Sequence, residues 1–584
     1  MAGDKSQELL ARASEDFEAG RLDGARWTLQ RLLTKDPRNA DAIHLLALMA
    51  AREGNVQQSV DLFRKAIGIM PNVARHRYNF AVLLMSVGQS QAAIAEYRTT
   101  IQLDPTFASA HNNLGNALRA QGKLTEARDH FGEAIRYSPQ HASAHSNLGT
   151  VLADLGELDQ GVSEFRAAIA ANPEFFRAHS NLLLNLTAYE KCDAETLFRE
   201  HQSWGRQHAD PIAASIAPAP SGPAKERLRI GYVSSDFRMH SVAFFIDPIL
   251  AAHDRRKFEV TCYSSVRTPD AMTGLLRGRV ERWRDISSLS DEQAAAMIRE
   301  DRIDILVDLG GHTSDSRLLL FARKPAPIQV EYLGYPGTSG MRQMDYLITD
   351  ARVAPLESDR FYPERVIRLP RTFFCYGPPD RVPDIDPLPA IANGQVRFGV
   401  FTNPIKIRPV MIENWAKILQ GVPSARLTIQ TQSLRDDAHR QDLLTRFVAL
   451  GIEESRIDLQ GSTDFREYLS TLRSTDIGLD TFPFNGHTTT CHALFVGVPT
   501  VTQAGQMHAS RMGLSICESI QLGDLVATSA DEYVMKAIAL ANDPARLSEL
   551  RAGLRQRLID AGMMDRARFT RELETVYQDL SRRP

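Results

Sequence analysis

Cysteine is scarce in this 584-residue chain: five residues, Cys192, Cys262, Cys375, Cys491 and Cys517, odd in number and widely scattered. None stands in a CxxC pair or a Cys/His cluster, which excludes a disulfide framework and a structural zinc site and points to a reducing compartment. Long apolar runs are also missing. Nothing approaches the roughly 18 residues that span a bilayer, and the opening MAGDKSQELLARASEDF has no basic stretch followed by an apolar one, so no membrane partner and no secretory leader are expected. Excess charge is absent too: 68 Lys and Arg against 71 Asp and Glu leave −3, which gives no global footprint for nucleic acid. The nucleotide signatures GxGxxG and GxxxxGK[ST] do not occur. What remains, 43% apolar, 24% charged and 7% aromatic residues, is ordinary globular composition. At roughly 150 residues per domain the length predicts about three or four domains in a soluble, cytoplasmic protein.

An internal period dominates the first third. Pro37, Pro71, Pro105, Pro139 and Pro173 are spaced by 34 residues, and Gly20, Gly54, Gly88, Gly122 and Gly156 keep the same interval. Leu114, Gly115, Gly122, Ala127, Phe131, Ala134 and Pro139 of one unit recur as Leu148, Gly149, Gly156, Gly161, Phe165, Ala168 and Pro173. This resembles the tetratricopeptide repeat, two antiparallel helices per unit. Small Gly115 and Ala127 let helices approach, Phe131 fills the gap between neighbours, and the proline closes the second helix. Five repeats over 4–174 and a partial sixth helix, FFRAHSNLLLNLTAYE, predict a solenoid over 4–190 that buries its core only between neighbours and presents a long groove. Asn79, Asn113, Asn147 and Asn181 hold one place in successive units, and His111, His145 and His179 the place two residues earlier. An amide donates and accepts at once, so the asparagine file can grip an extended peptide backbone without reading its side chains. A hydrated polar face with caps inside each repeat is the alternative, and for the histidines the structural role is the expectation.

Residues 209–224, ADPIAASIAPAPSGPA, mark a linker placed at 191–226. From Leu228 short β-rich runs alternate with helical stretches: LRIGYVSS, FEVTCYSS, IDILVDLGG, IQVEYLGYPG, YLITD and VIRLP. Pro378, Pro379, Pro383, Pro387 and Pro389 interrupt the pattern, which restarts as VRFGVFTN, ARLTIQT, IDLQG, DIGLDTFP and TVTQAG. Such alternation predicts parallel sheets with helices on both faces, in two Rossmann-like lobes at 227–377 and 395–584 joined at 378–394. Ligands of such sheets bind beyond the carboxyl ends of the strands. His240, just past the first strand, is there a base or a structural turn histidine. Asp308 ends an apolar strand before two glycines, as a second candidate base or a capping carboxylate. Lys406, in FTNPIKIRP, neutralises a phosphate or is merely solvated. In DTFPFNGHTTTCHALF a glycine turn and three threonines run into a helix, so amides, hydroxyls and the helix dipole converge on an anion, unless a threonine simply caps. A cation from one turn and a helix N-terminus from another suit a diphosphate leaving group without a metal.

Taken with the order of its blocks, repeats, RLRIGYVSSDF, RKPAPIQVEYLGYPGTSGMRQMDYLITD, FTNPIKIRP and LDTFPFNGHTTTCHALFVGVPTVT, essentially the whole chain resembles one family. That family is the O-linked N-acetylglucosamine transferases of the tetratricopeptide-plus-GT-B type, whose plant relatives of the SPINDLY kind transfer fucose. The resemblance implies an α-solenoid followed by a GT-B fold, and inverting transfer of N-acetylglucosamine from UDP-GlcNAc to Ser/Thr of protein acceptors with no metal cofactor. It implies that His240 lies beside the acceptor hydroxyl and sugar, as base or orienting group, and that Lys406 contacts the diphosphate. Asn403 stands where the family usually carries a glutamine near the phosphate and uracil; Gly334 and Pro336 belong to the loop bordering the sugar; His487, Thr488 and Thr489 match the residues holding the diphosphate; the asparagine file matches the groove for the protein substrate. Three positions depart from the animal enzymes: His492 replaces a carboxylate that bonds the ribose, Tyr468 a histidine that stacks on uracil, and Phe484 a cysteine near the sugar. GYPGTSG leans toward the N-acetylglucosamine branch. GDP-fucose or UDP-glucose are the alternative donors, and a repeat scaffold with a degenerate transferase lobe is the rival of another class. Oligomeric state is not legible in these residues.

Overall fold

A computed structural model describes residues 2–216, 226–379 and 384–582. Helices α1 (Ala2–Glu18), α2 (Leu22–Lys35), α3 (Ala40–Arg52), α4 (Val56–Ile69), α5 (Ala74–Ser86), α6 (Ser90–Leu103), α7 (Ala108–Ala120), α8 (Leu124–Tyr137), α9 (Ala142–Asp154) and α10 (Leu158–Ala171) follow the 34-residue period as five helical pairs. The glycine file has a backbone cause: Gly20, Gly54, Gly88, Gly122 and Gly156 each turn one helix into the next at φ between +75° and +80°, a left-handed conformation that costs glycine nothing. Gly115 has a steric one, since a Cβ there would stand 2.7 Å from the Phe131 ring. Packing divides the chain inside α9 into two compact units, 1–151 and 152–584.

The second unit opens with the end of α9 and with α10, followed by α11 (Phe176–Leu186) and α12 (Ala194–Trp204), which runs through a π-helical turn, Gly205–Ala209, into Asp210–Ala213. The early part of the stretch expected as a linker is thus helical. Leu197, His201, Trp204 and His208 form its buried face, and Trp204 packs with Leu183, Val233, Leu306 and Met341 while its indole N–H donates to the Phe176 carbonyl at 3.1 Å. Residues 217–225 of that linker, and 380–383 with Pro383 of the second break, lie outside the described residues.

The α/β part contains two parallel sheets. The first has β1 (Leu228–Ser234), β2 (Phe258–Ser264), β3 (Arg282–Asp285), β4 (Ile305–Asp308), β5 (Ile328–Tyr332), β6 (Tyr346–Asp350) and β7 (Arg365–Leu369), in the order β3-β2-β1-β4-β5-β6-β7. The second has β8 (Arg397–Phe401), β9 (Arg426–Gln430), β10 (Ile457–Gln460), β11 (Ile477–Leu479), β12 (Thr500–Gln503) and β13 (Val526–Ala527), in the order β10-β9-β8-β11-β12-β13. The central strands are buried on both faces, as their unbroken apolar runs require. The last helix, Arg566–Arg582, returns to the first lobe: Glu574 Oε1 accepts from His253 Nδ1 at 3.0 Å and from the Asp254 amide at 2.8 Å, and the Tyr577 and Tyr232 hydroxyls meet at 3.2 Å. Among the described residues no helix is long and apolar enough to cross a membrane.

Candidate active site

Each sheet reverses its winding once, between β1 and β4 in the first and between β8 and β11 in the second. Adjacent strands whose connections leave in opposite directions open a crevice at their carboxyl ends. The loops following those four strands line one cavity of about 740 Å³, a size suited to a nucleotide-scale ligand. After β1 come Ser235, Asp236, Arg238, His240 and Val242; after β4, Thr313, Ser314 and Asp315; after β8, Thr402, Asn403 and Lys406; after β11, Phe484, Asn485, His487, Thr488 and Thr489. Gly334 and Pro336, beyond β5, share the wall with Ser265, Arg267 and Thr268 after β2, Gln432 after β9, and Leu184 and Met512.

On the first-lobe side, His240 Nδ1 is 3.7 Å from Asp236 Oδ2 and 3.4 Å from the Val242 amide. Burial holds this imidazole below its ordinary pKa, with the Asp236 charge opposing and Arg238 adding to the effect, so the ring is neutral at pH 7. The motifs alone do not single out Asp236; its spacing four residues before His240 is the signal that marks the pair. Asp308 does not line the cavity. Its Oδ1 and Oδ2 accept from the Gly310 and Gly311 amides at 3.1 and 2.9 Å, and burial pushes it up to about 6. It shapes the turn that carries Thr313 to Asp315.

On the second-lobe side, Asn403 Oδ1 accepts from the Ile405 amide at 3.2 Å and caps the short turn Pro404–Lys406. Lys406 Nζ donates to the Asn485 carbonyl at 2.7 Å and stands 3.7 Å over the centre of the Phe484 ring. Burial draws the ammonium down to about 8 against the pull of Asp480. Asn485 is itself fixed, its amide donating to the Thr481 and Gln503 carbonyls at 2.8 and 3.1 Å. His487 stacks on Phe245 at 4.3 Å with the planes 10° apart, and its buried Nε2 has no hydrogen-bond partner. Burial, then the Lys406 and His508 charges, depress it to about 3. Thr488 and Thr489 begin the eight-residue helix Thr488–Phe495, so a lysine, an imidazole edge and the first amides of a helix meet in one space.

Tyr468 and His492 are brought together, but outside that cavity. The Tyr468 hydroxyl is 3.3 Å from His492 Nδ1, and the His492 ring sits edge-on to Phe244 and Phe465 at 4.7 and 5.5 Å. Burial drops His492 to about 3. In the repeats, the asparagines are half-buried and engaged across units: Asn79 meets His44 Nε2 at 2.9 Å, Asn113 Nδ2 donates to the Tyr78 hydroxyl at 3.1 Å, and Asn147 Nδ2 to Asn112 Oδ1 at 2.9 Å. His111 and His145 bond the carbonyls of Pro105 and Pro139 at 3.1 and 3.0 Å, closing turns. Among the described residues, no group of three or more His, Cys, Asp or Glu side chains is arranged to hold a metal ion.

The chain matches the model of glycosyl transferase family 41 over residues 215–381 and 389–573, and tetratricopeptide-repeat models over 10–74, 83–118, 115–156 and 142–175. A probable UDP-N-acetylglucosamine–peptide N-acetylglucosaminyltransferase SPINDLY of Solanum lycopersicum is 40% identical over 394 residues, 67% of this chain and 42% of the relative. The corresponding SEC protein of Arabidopsis thaliana is 32% identical over 363 residues, 60% of this chain and 37% of the relative. The chain thus spans less than half the length of these curated relatives. A solved structure of a Thermobaculum terrenum O-GlcNAc transferase mutant superimposes with a TM-score of 0.81 at 35% identity, covering 87% of this chain and 97% of that one.

Proposed function

The chain belongs to glycosyltransferase family 41, and from that premise we propose that it is an inverting transferase moving N-acetylglucosamine from UDP-GlcNAc to serine and threonine hydroxyls of protein acceptors. The observation that carries this is the convergence of His240 with Lys406 and the 487–489 helix start on one cavity. The relatives' names, which give UDP-N-acetylglucosamine and a peptide as substrates, support the choice of donor and acceptor.

The acceptor oxygen attacks the anomeric carbon from the face opposite the diphosphate, the bond to UDP breaks, and the product is β-linked. Charge growing on the departing diphosphate is met by the Lys406 ammonium, the His487 edge and the amides of Thr488 and Thr489, groups already aimed and partly shielded from water. These charges come from the protein, so no metal is needed for them. The Val242 amide donates to His240 Nδ1, so the neutral ring carries its proton on Nε2 and orients the acceptor oxygen by donation, while the acceptor proton leaves to water and the Asp236 charge 3.7 Å away favours the protonated ring. Asn403 borders the nucleotide and Gly334 and Pro336 the sugar; Tyr468 and His492, just outside the cavity lining, are proposed to border the uracil and ribose, and Asp308 is the weaker candidate base. Asn79, Asn113, Asn147 and Asn181 hold the backbone of protein acceptors. Five unpaired, buried thiols support a reducing cytoplasmic setting.

The test is a panel of UDP-GlcNAc, UDP-glucose and GDP-fucose, read by thermal shift and by donor hydrolysis in the presence of EDTA, then mass spectrometry of acceptor proteins. UDP-GlcNAc is expected to raise the melting temperature and to label Ser/Thr. Stabilisation by GDP-fucose or UDP-glucose alone would reassign the donor, loss of turnover in EDTA would overturn the metal-free mechanism, and binding without turnover of any donor would leave a scaffold.

A further inference from the structure

The cavity wall formed by Gly334 and Pro336 belongs to a loop built into other backbone on both sides, and the role inferred for that loop rests on the glycosyl-transfer reading of the cavity. On one side, a Cβ at Gly334 would overlap the Leu309 carbonyl and one at Gly311 the Tyr335 side chain; on the other, a Cβ at Gly340 would overlap the His201 carbonyl and one at Gly205 the Gly340 carbonyl. The loop is therefore wedged between the turn after β4 and helix α12, at separations no side chain permits. Leu333 at φ +76° and Gly340 at φ +72° mark where it departs and returns.

Between the two cavity-facing residues stands Tyr335, 3% exposed and absent from the cavity lining. Its ring packs on His201 and His312 at 5.7 and 5.3 Å, and its hydroxyl is 2.8 Å from His201 Nε2. Neighbouring bonds fix the direction. His201 Nδ1 lies 2.7 Å from the Leu197 carbonyl, which only accepts, so Nδ1 carries the proton and Nε2 accepts from Tyr335. His312 Nε2 donates to the Ser339 carbonyl at 2.8 Å, and its Nδ1 accepts from the Ser180 hydroxyl at 3.1 Å. Burial keeps both rings neutral, the state these bonds require. One histidine from α12 and one from the turn after β4 thus clasp the loop at Tyr335 and Ser339.

We propose that Tyr335 and His201 are a positioning pair: through one buried hydrogen bond, α12 sets where Gly334 and Pro336 stand in the cavity and so how the donor sugar is seated. Neither residue lines the cavity, so the pair acts on the seat and not on the reacting atoms.

The experiment compares wild type, Tyr335→Phe, His201→Leu, His201→Gln and the Tyr335→Phe/His201→Leu double variant in UDP-GlcNAc hydrolysis, with melting temperature and amide exchange over 333–341. Tyr335→Phe removes only a hydroxyl and leaves a buried acceptor unpaired; the donor KM is expected to rise about 5–20-fold while kcat stays within about twofold. His201→Leu should match it, and His201→Gln, whose carbonyl can accept where Nε2 did, should recover most of the loss. The double variant should be no worse than the worse single, and exchange should quicken in 333–341 but not in β5. Wild-type KM and exchange in Tyr335→Phe, additive effects in the double variant, or losses that merely follow the folded fraction would overturn the pairing. If His201→Leu does not fold, Tyr335→Phe and His201→Gln decide alone. A wild type that turns over no UDP-GlcNAc would count against the transferase reading, and the exchange arm would still judge the pair.

Discussion

In the proposed reaction Lys406 combines two requirements that usually conflict: it must be charged to meet a diphosphate, and it must be shielded for that charge to count. Its carbonyl and aromatic partners, Asn485 and Phe484, reconcile them by holding the ammonium without a neutralising ion pair. Lys406→Ala is expected to lower donor turnover by about 10²–10³-fold with the melting temperature unchanged; turnover within a few-fold of wild type would remove the lysine from the mechanism. Because burial draws its pKa down to about 8, the charged form is complete below that pH and is lost as pH rises through it. kcat/KM should therefore fall above about pH 8, and Lys406→Arg, which stays charged, should lose that alkaline limb even if its overall rate is lower. The strand-end residues His240, Lys406 and His487 were legible because short apolar runs fix where a strand stops, and the first polar group beyond it has few places to go. Asp308 also ends a strand, but two adjacent amides claim its oxygens and it stands outside the cavity lining. Tyr468 and His492 show a second limit: helical spacing does not say whether a side chain faces a cavity or an aromatic box.

Among the elements, the glycines separate conformation from space. Gly88 turns at φ +78° with nothing near its missing Cβ, so Gly88→Ala should cost about 1–2 kcal/mol of repeat stability and leave donor hydrolysis untouched. Gly334 lies against the Leu309 carbonyl, and Gly334→Ala must move the loop; a drop in donor turnover on the order of 10²-fold is expected. Urea titration and hydrolysis rates on the two variants check both claims, and equal effects on stability and activity would refute the division. The repeats and central strands were readable from period and apolar runs. Edge strands β3, RWRD, and β13, two residues long, were not, because an edge needs no apolar run. The α12 region hid behind its neighbours: a Pro/Ala-rich tail masked the buried spacing of Leu197, His201 and Trp204.

For the whole molecule, thirteen of the sixteen histidines are held below the ordinary imidazole range, chiefly by burial. The unfolded chain takes up those protons near pH 6.5 while the folded one refuses them, for His44, His179, His487, His492 and His508 until about 3, so stability falls as pH drops below 6.5. Asp308, Glu331, Glu364, Asp476 and Asp480 are raised by burial and act in the opposite sense, but they are fewer. The urea midpoint should be lower at pH 5.5 than at pH 7.5; an unchanged or higher value would refute the balance. The returning helix Arg566–Arg582 carries a consequence for how the molecule is made. Tyr232 and His253 belong to a lobe whose strands are complete by Leu369, yet the groups that cover them, Tyr577 and Glu574, are translated only after every strand of the second lobe. Growing chains therefore carry an unfinished first lobe throughout translation of the second, and the nascent chain, rather than the finished one, is where chaperones have their longest opportunity to act.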